Sequence, residues 1–504
     1  MNILSLNEIK LIINNYLNFL DTKKYDEEIL IEEYNKYTDI FYKHNNLFKN
    51  YLYNIDNNIY INFFNKYNIN NIDILFQSNV SNIKLIDKTS GGSFSFFIKC
   101  LYNNKPALIK CFYNPLLDLK YKYSLFYEQL VNLKIKDFQK NEEIYNNYFP
   151  KIYETGYVKL ENLLNKDLQD ELYNVISNNY NINIDNEITI NFFKVILKNL
   201  LSNNNNNLND TSYKFRLFKK YYHDQYINNS NIQVNEYFWI NLLLFFLDVE
   251  NKYIHITIME DLNQYEEKYD LCEYYSNNHY IMENNTVNFN DDLFLILYQI
   301  LYGIYLLNNK LDIIHNDVHV QNIIIIKNND DNYIEFNDNY KILNKYRCVI
   351  IDYNLSYINN NIFNMSNLIF LNNGFKKCLI NKTFELYVLL LSIIYIGHIY
   401  KIDNVTYHLK EQNNMYIYNY NNYKILNRIL FKYQQEFKDI LLKNYLLYLN
   451  KDLIVPKYMF CSNYKYNRNK CEYPMINYSA EDLLNNKYFI KILLKLKYLK
   501  PNNK

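Results

Sequence analysis

Glycine and proline are both scarce in this sequence, with six of each among 504 residues, and tryptophan occurs once. Tyrosine, by contrast, occurs 57 times, and asparagine is spread along the whole chain. Tyr, Asn, Ile and Lys have A/T-rich codons, so we interpret the composition as nucleotide bias rather than as a tyrosine-based or prion-like function. Because glycine is so rare, each glycine that remains is informative.

Cysteine motifs are also lacking. The seven cysteines show no CxxC spacing, are odd in number and are scattered along a long chain. This pattern argues against a zinc site and against a disulfide framework, and it favours reduced thiols in a cytoplasmic compartment. Glu8 and Lys10 interrupt the apolar stretch that a signal peptide would need.

Excess charge and long apolar runs are absent as well. The 54 basic and 53 acidic residues nearly cancel, so charge gives no reason to expect nucleic acid as a partner. The most apolar stretches, 238–249, 293–307 and 386–397, are shorter than the roughly 18 residues that a membrane-spanning helix needs. We therefore expect no transmembrane segment.

The hydrophobic pattern predicts an α+β protein in three parts. Residues 1–80 are predicted to form a helical extension. Residues 81–262 begin with short β-type runs and carry a long, asparagine-interrupted helical insertion at 161–249. Residues 263–504 are predicted to be mainly helical, with a strongly apolar helix from Asp292 to Asn309 that Asn290, Asp291 and Asp292 open as a cap. The chain thus consists of a small β-rich part followed by a larger helical part.

Two of the six glycines lie side by side between two predicted strands. Ser90, Gly91, Gly92 and Ser93 could form a turn whose backbone N–H groups approach a phosphate, since small residues allow that approach. An ordinary hairpin turn is the alternative.

A lysine and a glutamate form the second candidate pair. Lys110 ends the apolar run Ala107-Leu108-Ile109, and a charge on a strand that faces a core needs a partner. Glu128, on the predicted helix that follows, is the obvious one. The pair would hold the lysine toward a nucleotide.

The sharpest motif is a short polar loop between two apolar runs at 313–325. It carries His315 and Asp317 and, five residues after the aspartate, Asn322. Phosphoryl transfer from ATP needs a carboxylate that orients the attacking hydroxyl and an amide oxygen that binds Mg²⁺. A further apolar run delivers Asp352, a suitable Mg²⁺ ligand, at its end. A polar turn between buried strands is the alternative.

The order of these parts resembles that of protein kinases: glycine loop, strand lysine, helix glutamate, His-x-Asp-x-x-x-x-Asn loop and a strand that ends in aspartate. The resemblance implies a bilobal fold with a small β-rich N-lobe and a larger helical C-lobe. It also implies ATP and Mg²⁺ as cofactors. Glu260, in Met259-Glu260-Asp261-Leu262, would lie at the hinge beside adenine.

Within that superfamily the chain resembles the poxvirus serine/threonine protein kinase 2 family, the virion-morphogenesis kinase. The supporting features are the Ser-Gly-Gly-Ser-Phe loop, the 161–249 insertion and the long segment 327–347 before Asp352. This resemblance implies phosphorylation of Ser/Thr, with Tyr left open, on virion proteins in the host cytoplasm and in virions. The A/T bias suits an insect poxvirus, and other large DNA viruses carry comparable kinases.

The chain also departs from the kinase pattern. Asn316 and His319 replace an arginine and a lysine, and Glu385 could stand in for an aspartate of a later helix. His319 could supply positive charge when protonated, or a hydrogen bond when neutral. Two alternatives stay open: a small-molecule kinase of the choline or aminoglycoside type, which shares the Asp and Asn motifs, and a catalytically inactive pseudokinase scaffold.

Overall fold

The computed structural model describes the parts of the chain that carry most of these motifs. Described are residues 65–85, 95–112, 123–163, 253–271, 291–328, 332–337, 339–358 and 479–502, short pieces at 281–283 and 286–288, and isolated residues at 5–40, at 274 and at 382–390. The predicted glycine loop, most of the 1–80 extension, nearly all of the 161–249 insertion and the segment 391–478 lie outside the described residues.

Two compact units make up the chain. The first comprises Met1–Asn18, Asn35–Lys136 and Lys151–Asp261, and the second comprises Phe19–Tyr34, Asp137–Pro150 and Leu262–Lys504. Both mix helices with small antiparallel sheets, which confirms the mixed helix and strand class at that level.

A five-stranded antiparallel sheet forms the first unit. Its strands are β1 (Val80–Leu85), β2 (Ser95–Tyr102), β3 (Lys105–Phe112), β4 (Ile152–Lys159) and β5 (Tyr253–Glu260), in the spatial order β1-β2-β3-β5-β4. The predicted Asn-Asn hairpin turn between β2 and β3 is confirmed. Asn103 and Asn104 have φ of 49° and 62°, the left-handed pair of a two-residue turn that matches strand twist.

Helices of the first unit flank this sheet. They are α1 (Asp73–Asn79), α2 (Tyr123–Asn141), which continues into the second unit after Lys136, and the short α3 (Leu160–Leu163). Buried apolar side chains include Val131 and Ile135 of α2 and Ile109, Ile256 and Ile258 of the sheet. Lys110, His255 and Thr257 alternate with these sheet residues along β3 and β5, and they contact side chains of α2.

Gly156 in β4 permits a close approach between segments. A Cβ atom at this position would lie 2.4 Å from the carbonyl oxygen of Asn70 and 2.9 Å from a methyl group of Ile72. Ile72 N–H in turn donates to the carbonyl of Tyr157 at 3.0 Å. Glycine is therefore required where the 70–72 segment pairs in parallel with β4.

Helix α4 (Asp292–Tyr305) forms the centre of the second unit, and nearly all its side chains are buried. The predicted helix is present, but the predicted cap is wrong: Asp291 makes no side-chain cap hydrogen bond. Asp292 instead accepts hydrogen bonds from Lys345 Nζ, Tyr346 Oη and Tyr498 Oη at 2.6–2.7 Å. Its carboxylate anchors a strand and the C-terminal segment, and these bonds keep its pKa low despite the burial that opposes them.

Small sheets surround α4. Strand β10 (Ile323–Lys327) pairs antiparallel with β13 (Tyr346–Ile350) on one side and β6 (Lys268–Asp270) on the other. Strand β9 (Ile313–Ile314) pairs with β14 (Tyr357–Ile358). The short strands β7 (Ile281–Glu283) and β8 (Thr286–Asn288) form a hairpin.

The 327–347 segment and the C-terminus share a sheet that sequence analysis did not predict. Strands β11 (Tyr333–Glu335) and β12 (Tyr340–Leu343) pair with each other, and β12 also pairs with β15 (Leu499–Pro501). Helices α5 (Ala480–Leu484) and α6 (Lys487–Lys495) precede β15, and α5 begins with a capping box between Ser479 and Asp482. Within the described part of the chain, no helix is both long and apolar enough to cross a membrane.

Candidate active site

Lys110 and Glu128 form the predicted ion pair in the first unit. Lys110 Nζ lies 2.6 Å from Glu128 Oε1 and 2.8 Å from Oε2, so the ammonium group bridges both carboxylate oxygens. The pair is buried, with 7% and 2% of the two side chains exposed. Strand β3 presents the lysine and helix α2 the glutamate, and the Phe97 ring on the neighbouring strand lies 5.8 Å from Nζ. The geometry holds one cation in a fixed place.

Glu260, assigned to the nucleotide by sequence, is bonded within the first unit. Its carboxylate accepts a hydrogen bond from Lys151 N–H at 3.2 Å, and its own N–H donates to the carbonyl of Lys151 at 2.9 Å. It ends β5 opposite Ala107 of β3. These bonds fix the end of β5, and a role beside adenine would fall to other backbone groups of this segment.

The candidate catalytic loop in the second unit lies between β9 and β10. His315 is fully buried, its Nε2 lies 2.9 Å from the carbonyl oxygen of Ile351, and its Nδ1 lies 3.3 Å from the backbone nitrogen of Asp317. A carbonyl only accepts and an amide N–H only donates, so the imidazole is neutral with its proton on Nε2. Burial lowers the pKa of His315 to about 4, in agreement with that tautomer. The ring supports the loop rather than reacting.

Asp317 and Asn322 are joined directly. The Asn322 Nδ2 group donates to the Asp317 carbonyl at 2.9 Å and to its Oδ2 at 3.3 Å. These bonds commit the amide nitrogen and leave Oδ1 as the atom of Asn322 suited to a metal ion. Burial, with a further contribution from the charge of Asp352, raises the pKa of Asp317 well above its usual range. About a quarter of the Asp317 side chain, 24%, remains exposed.

Asp352 reaches this loop through strand pairing. Ile323, at the start of β10, is opposite Ile350, at the end of β13, so the residues just outside the two strands meet. Ile351 N–H accordingly donates to the carbonyl of Asn322 at 3.0 Å. Asp352 itself has φ of 66°, a left-handed conformation that aspartate and asparagine adopt more readily than other non-glycine residues.

The segment after Asp352 is bonded back to the loop by neutral groups. Asn316 Nδ2 donates to the carbonyl of Leu355 at 3.1 Å, and β9 pairs with β14 two residues further on. The Asn316 amide, which sequence analysis compared with an arginine of kinases, thus joins the loop to the segment after Asp352. Asp352 is therefore flanked by contacts with the loop on both sides.

The hydrogen bonds and the burial of His319 favour a neutral imidazole. Its Nδ1 accepts from Gln321 N–H at 3.2 Å, and its Nε2 lies 3.8 Å from Asp317 Oδ2. Burial lowers its pKa to about 4, although the charge of Asp352 opposes the effect. Of the two sequence-based alternatives, the geometry favours the neutral hydrogen-bond donor over the cation.

Glu385, compared by sequence with an aspartate of a later kinase helix, accepts hydrogen bonds from the loop. Its Oε1 accepts from the backbone N–H groups of His315 and Asn316, and its Oε2 accepts from Asn308 Nδ2 at 2.6 Å. Asn308 Nδ2 also reaches the carbonyl of Ile313. Complete burial raises the pKa of Glu385 to about 7 against the opposing effect of these bonds. Sequence analysis did not identify Asn308, which looks like an ordinary helix-end residue.

Sequence analysis also missed two buried polar residues beside the ion pair. Gln129 belongs to α2 itself, next to Glu128, and His255 belongs to β5; the two residues are 0% and 6% exposed. Each stands among apolar neighbours, so a polar residue on the buried face of an otherwise regular pattern is the signal that could have found them.

The chain matches no protein-family model and no curated protein.

Magnesium ion fits the oxygen ligands of the second unit. Asn322 and Asp352 offer one amide and one carboxylate oxygen, which are hard ligands suited to Mg²⁺. Among the described residues no group of three or more His, Cys, Asp and Glu side chains is placed to hold a metal. Mg²⁺ is commonly held by one or two carboxylates together with substrate phosphates, so a site with two protein ligands fits this metal.

Proposed function

We propose that the protein is a Mg²⁺-dependent phosphotransferase with a bilobal protein-kinase-like fold, and that it transfers the γ-phosphoryl group of ATP to Ser/Thr hydroxyls of proteins. The observation that carries the proposal is the Asp317 loop. There the half-buried Asp317 carboxylate accepts a hydrogen bond from the Asn322 amide, and Asp352 directly follows Ile351, whose N–H donates to the Asn322 carbonyl. These are the groups that phosphoryl transfer requires of a protein.

The fold supports the same proposal. In the first unit an antiparallel sheet is followed, after its lysine strand, by a helix whose glutamate pairs with that lysine. This arrangement suits a β-rich N-lobe, in which the strand lysine contacts ATP phosphates. The second unit, built around α4, would be the C-lobe.

Asp317 would act as the catalytic base. The substrate hydroxyl oxygen forms the new bond to the γ-phosphorus, the bond from that phosphorus to the bridging oxygen breaks, and ADP leaves. The hydroxyl proton passes to the Asp317 carboxylate. A raised pKa makes this carboxylate a better proton acceptor, provided that it is ionised when substrate binds.

The negative charge of the triphosphate would be neutralised by Lys110 and by Mg²⁺ bound to Asn322 and Asp352. Lys110 offers a positive charge oriented by Glu128, while Asn322 and Asp352 would hold Mg²⁺. The metal, when bound, supplies charge neutralisation to the phosphate oxygens. Ser90, Gly91, Gly92 and Ser93 would cover the phosphates with backbone N–H groups.

The substrate class rests on the resemblance to the poxvirus kinase family. On that basis the substrates would be virion proteins, and the protein would act in the host cytoplasm and in virions. One observation favours a second candidate, a small-molecule kinase: neutral His319 occupies the position of the lysine that protein kinases use. Such enzymes also work without that lysine.

Labelled ATP tests these assignments. We expect the purified chain with Mg²⁺ to label a casein-type protein and not choline, whereas labelling of choline alone would favour the second candidate.

Asp317→Asn should reduce transfer by about 10²-fold or more, because a base contributes on that scale. Asp312→Asn is the matched control, since it neutralises an exposed carboxylate five residues earlier and should keep wild-type activity. Equal activity of Asp317→Asn and wild type would refute the base assignment. Binding of ATP without any transfer would indicate a pseudokinase.

A further inference from the structure

One side-chain amide of helix α2 bonds to two strands of the sheet beneath it. Gln129 Nε2 donates to the carbonyl of Gly156 at 2.9 Å and to that of Ile256 at 3.1 Å. These two residues are opposite each other on β4 and β5. A single amide therefore binds two adjacent strands from above, at the position next to Glu128.

The other end of the Gln129 amide is fixed by a histidine. Gln129 Oε1 lies 2.8 Å from His255 Nδ1, and because the Gln129 nitrogen is committed to carbonyls, the oxygen must accept and Nδ1 must donate. Burial lowers the pKa of His255 to about 3, so the ring stays neutral at physiological pH. The amide thus has one orientation, and the histidine has one tautomer that fits it.

These directional bonds restrict how α2 can move. Apolar side chains tolerate small slides and rotations of a helix, but a buried amide that meets three partners does not. A rotation of α2 that carried Glu128 away from Lys110 would break the bonds of the buried Gln129 amide to two carbonyls and to one imidazole N–H. Buried polar groups without partners are strongly disfavoured.

We propose that Gln129, oriented by His255, is a positioning residue that keeps Glu128 permanently against Lys110. The proposal rests on the proposed function and deepens it: the phosphate-binding lysine is aligned by the fold itself and needs no activating partner or phosphorylation to bring α2 into place. Gln129 acts through Glu128 and does not touch the substrate.

The principal test is a double-mutant cycle. Gln129→Met keeps the length and volume of the side chain but removes all three hydrogen bonds. At a temperature where circular dichroism shows a folded chain, we expect at least a 10-fold loss in kcat/KM for ATP. In a Glu128→Gln background the same change should cause no further loss, although it should still lower Tm. Additive losses, or full activity of Gln129→Met, would overturn the proposal.

Asn132→Leu is the matched control. Asn132 is a buried amide on the same helix, about one turn further on, and its Nδ2 reaches a side chain, Thr257 Oγ1, at 3.4 Å. We expect this variant to lose stability but to change kcat/KM less than threefold. An equal loss of activity in Gln129→Met and Asn132→Leu would mean that any buried amide of α2 can position Glu128. That result would also overturn the proposal.

Two further measurements cover other outcomes. If Gln129→Met does not fold, His255→Phe takes its place, because it keeps an aromatic ring while removing the donor to Gln129. A smaller loss of kcat/KM that also vanishes in the Glu128→Gln background supports the proposal. Wild-type activity of His255→Phe overturns it. If wild type neither binds ATP nor transfers phosphate, the proposed function fails on its own. Amide hydrogen exchange at 127–135 then decides the positioning role: faster exchange in Gln129→Met but not in Asn132→Leu supports it, and unchanged exchange overturns it.

Discussion

The imidazole Nε2 of His315 donates a hydrogen bond to the carbonyl of Ile351 at 2.9 Å, which ties the candidate catalytic loop to the residue that precedes Asp352. The same ring accepts from Asp317 N–H through Nδ1. One buried side chain thus sets the place of the proposed base and of the proposed metal ligand at the same time.

Replacing the His315 ring should reduce activity more than replacing the neighbouring Tyr353 ring. His315→Phe leaves the Ile351 carbonyl and the Asp317 N–H without their partner, at a cost of about 2 kcal/mol in the free energy of unfolding. Because both groups adjoin the proposed site, we expect kcat to fall about 10-fold or more. Tyr353→Phe is the control: it removes the hydrogen bond from Tyr353 Oη to the Ile350 carbonyl and should cost about 1 kcal/mol with little change in kcat. Urea unfolding and steady-state kinetics separate the two effects, and parallel losses of kcat in both variants would contradict the assignment.

The Lys110–Glu128 pair should respond differently to single and double replacement. Lys110→Met leaves the Glu128 carboxylate buried without its cation, and breaking a buried pair in this way costs about 3–5 kcal/mol. Lys110→Met/Glu128→Leu removes both charges and should recover most of that stability. Phosphotransfer should be lost by orders of magnitude in both proteins, since the phosphate-binding cation is gone from each.

Thermal unfolding and an ATP titration measure these two consequences. A double variant with recovered stability and recovered transfer would show that Lys110 has no role in the reaction. A double variant no more stable than Lys110→Met would show that Lys110 and Glu128 do not form a buried ion pair.

His319 should act as a neutral group across the physiological range. Its pKa is lowered to about 4 by burial, so it carries no charge above about pH 5. His319→Gln, which keeps a neutral donor, should therefore retain kcat within about threefold and leave the pH–rate profile between pH 6 and 8 unchanged. A wild-type kcat that declines over this range, and a flat profile in His319→Lys, would show instead that the imidazolium charge assists transfer.

Glu385 should make the stability of the fold depend on pH. Its pKa rises from 4.5 to about 7 on folding, so between these values the folded chain holds a proton that the unfolded chain has released. The free energy of unfolding should accordingly fall as the pH rises from 4.5 to 7, by about 3 kcal/mol in total, and stay lower above pH 7.

Glu385→Gln should remove this contribution. The replacement has no proton to release, yet its Oε1 can still accept from the N–H groups of His315 and Asn316. We expect urea midpoints at pH 5 and pH 8 to differ less in the variant than in wild type. An identical difference in both proteins would mean that Glu385 titrates normally.

The sequence by itself determined the strands around Lys110, the central helix and the hairpin turn of the described part of the chain, but not the sheet of β11, β12 and β15. Strand β3, helix α4 and the Asn-Asn hairpin turn follow from periodicity and turn preference, which act over a few neighbouring residues. The Lys110–Glu128 pair could be predicted for a related reason: a charge in an apolar strand needs a partner, and the next helix offers a suitable one. The residue types of the Asp317 loop indicated their chemistry because each type is suited to one task.

Only the tertiary structure decided which buried polar groups meet. Asp292 was predicted to open a helix beside a capping residue, but three donors distant in sequence turn it into an anchor. His319 could be a cation or a neutral donor by sequence, and burial together with the Gln321 N–H favours the neutral form. Gln129 looks like any helix residue until β4 and β5 place two carbonyls beneath it. In each case the outcome depends on desolvation and on partners brought together by folding, which no local pattern of residues contains.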